Sequence, residues 1–173
     1  AADLDGDGDI EVLSASSNND KIAYYKNDGA GNFSNEQIIS TSAEGAINVY
    51  AADLDSDGDL DVLSASYSDH KIAYYLNDGA GNFSSEQIII STTANSAISI
   101  YTEDLDGDGD LDVLSASSRD DKIAWYENLT LAVTVEEQDF ISKGSFQIYP
   151  NPTSENFTIL LDGEEIKNKM FKV

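Results

Sequence analysis

The chain has 173 residues, 33 acidic against 9 basic side chains, a formal net charge of −24 and no cysteine. This acidity excludes nucleic acids and anionic membranes as partners, because both are polyanions. The lack of cysteine excludes disulfides, thiolate nucleophiles and cysteine-ligated metals. No stretch approaches the roughly 18–20 apolar residues of a bilayer span, so no membrane span is predicted.

An acidic nine-residue phrase, written here as loop positions 1 to 9, occurs three times. It reads DLDGDGDIE at 3–11, DLDSDGDLD at 53–61 and DLDGDGDLD at 104–112. Acids at every odd position repel one another unless a cation lies among them, and the glycine at position 6 permits a sharp bend. An oxygen-only ligand set suits Ca²⁺ better than zinc or copper. The sequence therefore predicts three calcium loops.

In each loop, the side chains at positions 1, 3 and 5 are expected to converge. The backbone carbonyl of position 7 and the acid at position 9 would complete the coordination shell. About three structural Ca²⁺ ions are predicted, held by Asp3, Asp5, Asp7, Asp9 and Glu11, by Asp53, Asp55, Asp57, Asp59 and Asp61, and by Asp104, Asp106, Asp108, Asp110 and Asp112.

The acidic phrases are part of a longer repeat. Asp3 and Asp53 are 50 residues apart, and Asp53 and Asp104 are 51 apart. A period near 50 residues indicates a repeat architecture. Each unit contains apolar runs of strand length and strand composition. In the second unit these runs are Leu60–Ser66, Lys71–Leu76, Glu86–Ser91 and Ala97–Tyr101.

Turn chemistry between the runs predicts how they pair. The phrase NDGAGNF at Asn27–Phe33 and Asn77–Phe83 is typical of a hairpin turn. We predict an all-β fold of four-stranded antiparallel meanders, with the calcium loop between the first two strands. Such sheets are apolar on both faces and must stack, which predicts the blades of a partial β-propeller. The sequence contains about two and a half units, so further blades lie upstream or the array is open.

A change of module is predicted after the third unit, whose last run is Asp121–Asn128. One final strand is expected at Leu131–Val135, and two strands of a new module at Ser145–Tyr149 and Asn156–Leu161. The predicted organisation is a propeller region at 1–129, a linker at 130–144 and a second, truncated module at 145–173.

Two other interpretations of the acidic phrase are weaker. EF-hand and dockerin loops lie between helices, and their twelfth position, which should be a bidentate glutamate, is a serine here (Ser14, Ser64 and Ser115). The second alternative is a solvated acidic turn without metal. Within the calcium interpretation, a structural role is favoured over regulation.

An active site is not predicted. His70 is the only histidine and lies at a hairpin tip, where it is expected to face solvent, so no catalytic triad can form around it. Every dense acid cluster is explained by a calcium loop. The recurring aromatic pairs are expected to pack between blades through Tyr24, Tyr74 and Trp125, with stacking on sugar rings as the alternative.

The loop, the period and the hairpin together resemble the FG-GAP/VCBS repeat family, whose DxDxDGxxD calcium loops also occur in integrin α propellers. The resemblance covers about residues 1–128. It implies a calcium-binding β-propeller and the ligand set given above, with Glu11 departing from the usual aspartate.

The tail is similar to the C-terminal sorting domain of type IX secretion cargo in the Bacteroidota, a small β-sandwich that opens with a YPNP phrase. That phrase is Tyr149-Pro150-Asn151-Pro152 in this chain. The resemblance implies recognition by the type IX machinery, followed by release or attachment at the outer-membrane surface. The later strands of the domain are missing from this sequence.

The function expected from these features is that of a non-catalytic, secreted or cell-surface, calcium-binding scaffold for protein or glycan ligands and adhesion. An alternative is an accessory binding or spacer region of a larger secreted enzyme, and a second is a gene fragment. The chain starts with Ala1 inside a repeat, so it is expected to be a piece of a longer protein.

Overall fold

In the computed structural model, the described part of the chain is built from β-strands and turns. It comprises residues 1–85 and 87–129 and four short strands beyond them. The strands are β1 Val12–Ser16, β2 Lys21–Tyr25, β3 Gln37–Ser40, β4 Ala46–Ala52, β5 Asp61–Ser66, β6 Lys71–Tyr75, β7 Ile88–Ser91, β8 Ala97–Glu103, β9 Asp112–Ser117, β10 Lys122–Asn128, β11 Ile148–Tyr149, β12 Thr158–Leu161, β13 Glu164–Lys167 and β14 Phe171–Lys172.

The strands form four antiparallel sheets. The first sheet has the order β1-β2-β3, and the second is a complete meander, β4-β5-β6-β7. The third repeats this arrangement with β8-β9-β10, and β14 pairs with the end of β10. The fourth has the order β11-β12-β13. In the described part of the chain no helix could span a membrane.

The second sheet is buried on both of its faces. Every residue of β5 is buried, because successive side chains of a strand point to opposite faces and both faces are covered. Val62 packs with residues of the first sheet, and Leu63 packs with residues of the third. After the loop acid Asp61, the sequence VLSAS is therefore apolar or small throughout, as in a strand between two layers.

Two apolar clusters hold the three sheets together. Full burial of an aliphatic or aromatic side chain contributes about 1.5–3 kcal/mol relative to exposure. The cluster between the first and second sheets includes Leu4, Ile22, Tyr24, Val62 and Tyr75. The cluster between the second and third sheets includes Leu54, Leu63, Ile72, Tyr74, Val113 and Tyr126.

The all-β fold and the four-stranded meander predicted from the sequence are confirmed for the second sheet. The grouping of runs was wrong in one respect. The run Ala97–Tyr101 is the start of β8 and belongs to the third sheet, because the acidic loop that follows it leads directly into β9. Within the described residues the stacked sheets do not close into a ring, so the propeller stays a prediction.

The aromatic pairs follow the prediction in the first two sheets only. Tyr24 and Tyr74 are buried between sheets, but Trp125 is half-exposed, contrary to the expectation. In the second pair the other member, Tyr75, is buried as well, and in the third pair Tyr126 is buried in place of Trp125. Both faces of each sheet therefore carry an aromatic side chain that can enter a sheet-to-sheet contact.

His70 lies at the predicted hairpin tip, with a positive φ of 61°. It is half-buried rather than solvent-facing, and its Nδ1 accepts a hydrogen bond from the backbone N–H of Ser96 at 3.0 Å. Asp20 has the same role in the first repeat, where its carboxylate accepts from the N–H of Gly45 at 2.8 Å. The residue is thus a turn element that links neighbouring sheets.

Beyond residue 129, two predicted strands coincide with β11 and β12, whereas β13 and β14 were not predicted. The predicted linker at 130–144, the strand at Leu131–Val135 and most of the Tyr149–Pro152 phrase lie outside the described residues. The predicted domain boundaries stay predictions.

Candidate metal centre

The three acidic loops have equivalent places in the fold. The second joins β4 to β5, the third joins β8 to β9, and the first leads into β1. Their glycines at position 6, Gly8, Gly58 and Gly109, have φ angles of 93°, 97° and 99°. A residue with a Cβ rarely adopts this conformation, so the bend depends on glycine.

The aspartate at position 1 shapes the loop through backbone amides. The two carboxylate oxygens of Asp3 accept hydrogen bonds from the N–H groups of Gly6 and Gly8, at 2.9 and 3.1 Å. Asp104 makes the same pair of bonds to Gly107 and Gly109, at 2.8 and 3.2 Å. These bonds wrap the loop around the carboxylate.

The aspartate at position 5 closes the bend. Its Oδ1 accepts from the N–H of the residue at position 7, at 2.9 Å in all three loops. The donors are Asp9, Asp59 and Asp110, which the sequence analysis expected to act through their backbone carbonyls. That expectation stays a prediction.

The acid at position 9 is buried and anchors the loop to the body of the sheet. Asp61 accepts hydrogen bonds from the N–H of Leu54 at 3.3 Å and from the N–H of Asn77, which follows β6, at 2.9 Å. The carboxylates of Glu11 and Asp112 make the equivalent bonds in the other two repeats. The position-9 carboxylate thus joins the start of its loop to the segment that follows the next hairpin, whether or not it also binds a metal.

Three side chains in each loop bring carboxylate oxygens within 4.8 Å of one another. The trio uses positions 1, 3 and 9 in the first loop, but positions 1, 3 and 5 in the second and third. Asp61 and Asp112, both predicted ligands, are outside these trios. The trios are Asp3, Asp5 and Glu11; Asp53, Asp55 and Asp57; and Asp104, Asp106 and Asp108.

Two of these carboxylates fit a metal ligand in a second way. Oδ1 of Asp5 and Oδ1 of Asp53 are buried and have no hydrogen-bond partner in the described structure. Burying an unpaired carboxylate oxygen is costly, and a coordinated cation removes that cost. The donor set is entirely oxygen, which is the preference of Ca²⁺ and Mg²⁺.

The pKa values of two acids in the second loop also indicate that a bound cation would stabilise the loop. Burial, aided by the neighbouring charge of Asp57, raises the pKa of Asp55. Burial raises the pKa of Asp61 to about 7. Carboxylates that resist ionisation in this way are stabilised in their charged form by a nearby cation.

The first loop differs because a lysine already lies beside it. Nζ of Lys26 is 3.0 Å from Oδ2 of Asp5, and this contact raises the pKa of Lys26. The equivalent residue is Leu76 in the second repeat and Glu127 in the third. The first trio is thus partly neutralised by the protein, whereas no ion pair to the second or third trio is found among the described residues.

The hairpin phrase NDGAGNF belongs to the same end of the sheet as the acidic loop. The carboxylate of Asp9 lies against Gly29, where an added Cβ would be 2.5 Å from Oδ2. Asp59 and Gly79 show the same close approach. The glycine of this turn therefore gives space to the side chain at loop position 7.

Sequence reasoning missed one asparagine that recurs sixteen residues after the position-9 acid. Nδ2 of Asn77 donates to the carbonyl of Leu60 in its own repeat at 3.0 Å and to that of Leu4 in the previous repeat at 2.8 Å. Asn128 makes the same two bonds, to Leu111 at 3.1 Å and to Leu54 at 2.8 Å. The sequence does contain a signal for this residue, because an asparagine recurs at the same place in each repeat, in the phrases YKN, YLN and YEN.

The fold and the site together define a protein of stacked antiparallel sheets with one acidic, oxygen-rich loop in each repeat. The family model for the FG-GAP-like repeat matches residues 3–64 and 53–115. The chain belongs to the FG-GAP-like repeat family. No curated protein matches it.

Proposed function

We propose that the three acidic loops bind Ca²⁺ and that the ions stabilise the stacked sheets. The observation that carries this proposal is the convergence of three carboxylates in each loop, with buried and unpartnered oxygens on Asp5 and Asp53. Ca²⁺ is favoured over Mg²⁺ because these loops are irregular, and Ca²⁺ accepts flexible geometry with six to eight oxygen ligands. The predicted ligands are the fifteen acids of the three phrases.

Calorimetric titration of the chelator-stripped chain tests the metal and the number of sites. We expect about three Ca²⁺ ions, with affinities near the 10⁻⁴–10⁻³ M of extracellular modules. A large excess of Mg²⁺ should displace them poorly. In the Asp53→Asn variant the second site should be lost and the other two kept. A titration without heat and without any stabilisation by Ca²⁺ would overturn the proposal.

We further propose that the chain is a non-catalytic scaffold, secreted or displayed at the cell surface, which binds a protein or glycan ligand. Its family is a repeat scaffold, and sites of this affinity are filled where calcium is millimolar, as it is outside cells. Glycan arrays and arrays of extracellular proteins, probed with and without EDTA, test this. Ligand binding that is lost in EDTA supports the proposal, and hydrolysis of a bound glycan contradicts its non-catalytic part.

The tail is proposed to direct export by the type IX machinery, supported by the Tyr149-Pro150-Asn151-Pro152 phrase. A reporter fused to residues 130–173 should reach the surface or medium of a bacterium that has this machinery. A variant with both prolines replaced by alanine is the matched control. Retention of the unaltered fusion inside the cell would refute this part of the proposal.

A further inference from the structure

The outward face of the third sheet exposes the apolar side chains that the first two sheets bury. Ile22 and Ile72 are fully buried, whereas the equivalent Ile123 is 74% exposed. Trp125 is 45% exposed, in contrast to the buried Tyr24 and Tyr74. The same holds for Leu105, which is half-exposed where Leu4 and Leu54 are buried. We call this surface, made by Tyr101, Leu105, Ile123 and Trp125, the trailing face.

The opposite surface of the first sheet is open in a complementary way. Val62 and Val113 are fully buried, whereas the equivalent Val12 is 41% exposed. Phe33 is half-exposed, although the equivalent Phe83 packs into the cluster between the first and second sheets. We call this surface, made by Ile10, Val12, Tyr25 and Phe33, the leading face.

The filled contacts between sheets show what each open face is shaped to meet. Tyr24 on the trailing side of the first sheet packs edge-on against Phe83 on the leading side of the second, with ring centroids 5.6 Å apart. The Tyr24 hydroxyl donates to the carbonyl of Gly81 at 2.7 Å. Each trailing face thus receives a leading face of the same repeat type.

Asn27 is the matching polar element of the leading face. Its Nδ2 donates to the carbonyl of Ile10 at 3.2 Å. Asn77 and Asn128 make this bond and a second one to the position-2 leucine of the preceding repeat. The second acceptor for Asn27 would be a position-2 leucine carbonyl, and the half-exposed Leu105 occupies that position on the trailing face.

We propose that the trailing face of one copy of this chain binds the leading face of a second copy. In this contact Trp125 of one copy packs on Phe33 of the other, and Nδ2 of Asn27 donates to the carbonyl of Leu105. The new contact continues the stack, because it brings together the same two kinds of face as the two sheet-to-sheet contacts already present in the chain. The interface is heterologous, so two or more copies close into a ring or extend head to tail.

Trp125 provides a direct readout, since it is the only tryptophan of the chain. Sedimentation of the full chain in about 2 mM Ca²⁺, above the range of extracellular sites, should show a mass that rises with concentration from 18.7 kDa toward its multiples. Over the same range, the tryptophan emission should shift to shorter wavelength. A chain that stays monomeric at every concentration, with unshifted emission, overturns the proposal.

Three substitutions test which faces meet. Ile123→Asp alters the trailing face and Val12→Asp the leading face, and each should shift the midpoint of association at least tenfold to higher concentration. Ile38→Asp is the matched control. It lies on the same side of the first sheet, but its equivalent Ile89 stays exposed when that side is covered. Association of the control should equal that of the unaltered chain.

Mixing the two face variants gives the sharpest result. The Val12→Asp variant keeps an unaltered trailing face, and the Ile123→Asp variant keeps an unaltered leading face. These two faces can bind each other once, so the mixture should form dimers and no larger species. Association that survives in either variant alone shows that like faces meet, and overturns the proposal. Circular dichroism checks that each variant folds. If a face variant fails to fold, the pair is replaced by Phe33→Ser for the leading face and Leu105→Ser for the trailing face. The proposed self-association depends on sheet packing and not on the calcium loops. If the chain does not bind Ca²⁺, the same sedimentation experiment tests the self-association in EDTA.

Discussion

The first and second acidic loops have nearly the same sequence and build different sites. The first gathers positions 1, 3 and 9, and the second gathers positions 1, 3 and 5. A longer acid at position 9, Glu11 in place of Asp61, accompanies the change. A second difference lies outside the phrase, where Lys26 neutralises Asp5 and the second repeat has Leu76.

The two loops show that a shared pattern of acids does not by itself determine which carboxylates converge. The counter-charge comes from Lys26, the residue after β2. The backbone N–H that holds the position-9 acid comes from the next residue, which is Asn27 in the first repeat and Asn77 in the second. The two loops are therefore expected to differ in calcium affinity and in the stability that is lost when each is disrupted. The following experiments separate them.

Removal of calcium should have the largest effect. With a Kd of about 10⁻⁴ M and 2 mM Ca²⁺, each site stabilises the fold by about 1.8 kcal/mol, or about 5 kcal/mol for three sites. The melting temperature should fall by about 10–20 °C in EDTA and recover when Ca²⁺ is restored. Thermal melts followed by circular dichroism measure this, and the first loop should contribute the smaller part.

A dependence of stability on pH should appear when calcium is absent. Burial raises the pKa of Asp61 to about 7 from an ordinary value of 3.8, so the folded state holds a proton that the unfolded state has released. Stability in EDTA should therefore fall as pH rises from about 4 to about 7. Urea unfolding measures the trend, which the Asp61→Asn variant should weaken. An unaltered slope in that variant would contradict the assignment.

The position-9 acids should separate stability from metal affinity. Asp61→Asn turns an amide N–H₂ toward a backbone N–H and should cost about 1–3 kcal/mol of unfolding free energy. Glu11→Gln should cost a similar amount and should weaken Ca²⁺ at the first loop more than Asp61→Asn weakens it at the second, because Glu11 belongs to its trio and Asp61 does not. Unfolding in urea and calcium titration of both variants measure the difference. Equal losses of affinity would contradict it.

The asparagines should differ according to the number of carbonyls that they serve. Asn77→Ala leaves the buried carbonyl of Leu4 without its donor and should cost about 1–3 kcal/mol. Asn27→Ala removes one longer bond and should cost about 0.5 kcal/mol in dilute, monomeric protein. The denaturant midpoints of the two variants measure the two losses of stability. Equal losses would show that the hydrogen bond from Asn77 to Leu4 contributes little.

The smallest expected effect tests the lysine. Lys26→Leu makes the first repeat resemble the second and should raise the calcium affinity of the first loop up to about fivefold, since it removes a half-exposed competitor worth about 1 kcal/mol. Lys21→Leu is the control, because it removes the same charge from a pair with Glu36 outside the loop. Competition with a fluorescent chelator measures both variants.

The sequence predicted the strands and the loops because their signals are local. The length and composition of runs such as Leu60–Ser66, and glycine in the NDGAGNF turns, are signals that lie within a few residues. The convergence of Asp53, Asp55 and Asp57 followed from spacing alone. The assignment of β8 to the next sheet, the burial of Tyr126 and the exposure of Trp125 did not, because each depends on which sheet lies opposite.

The asparagine bridge was also beyond local reasoning. Asn77 reaches an acceptor 73 residues earlier, at Leu4, and this partner is visible only once two repeats are stacked. The recurrence of asparagine was present in the sequence, but its meaning required the position of the neighbouring loop.

That bridge gives the stack a nearest-neighbour cooperativity. Because one amide group joins Leu4 of the first loop to Leu60 of the second, a loop that changes shape changes its neighbour's hydrogen bonding. Units coupled only to their neighbours behave as a one-dimensional array, in which disorder starts at an end and spreads inward. The sheets should therefore melt in sequence from an open face, and filling one loop should favour the filling of the next.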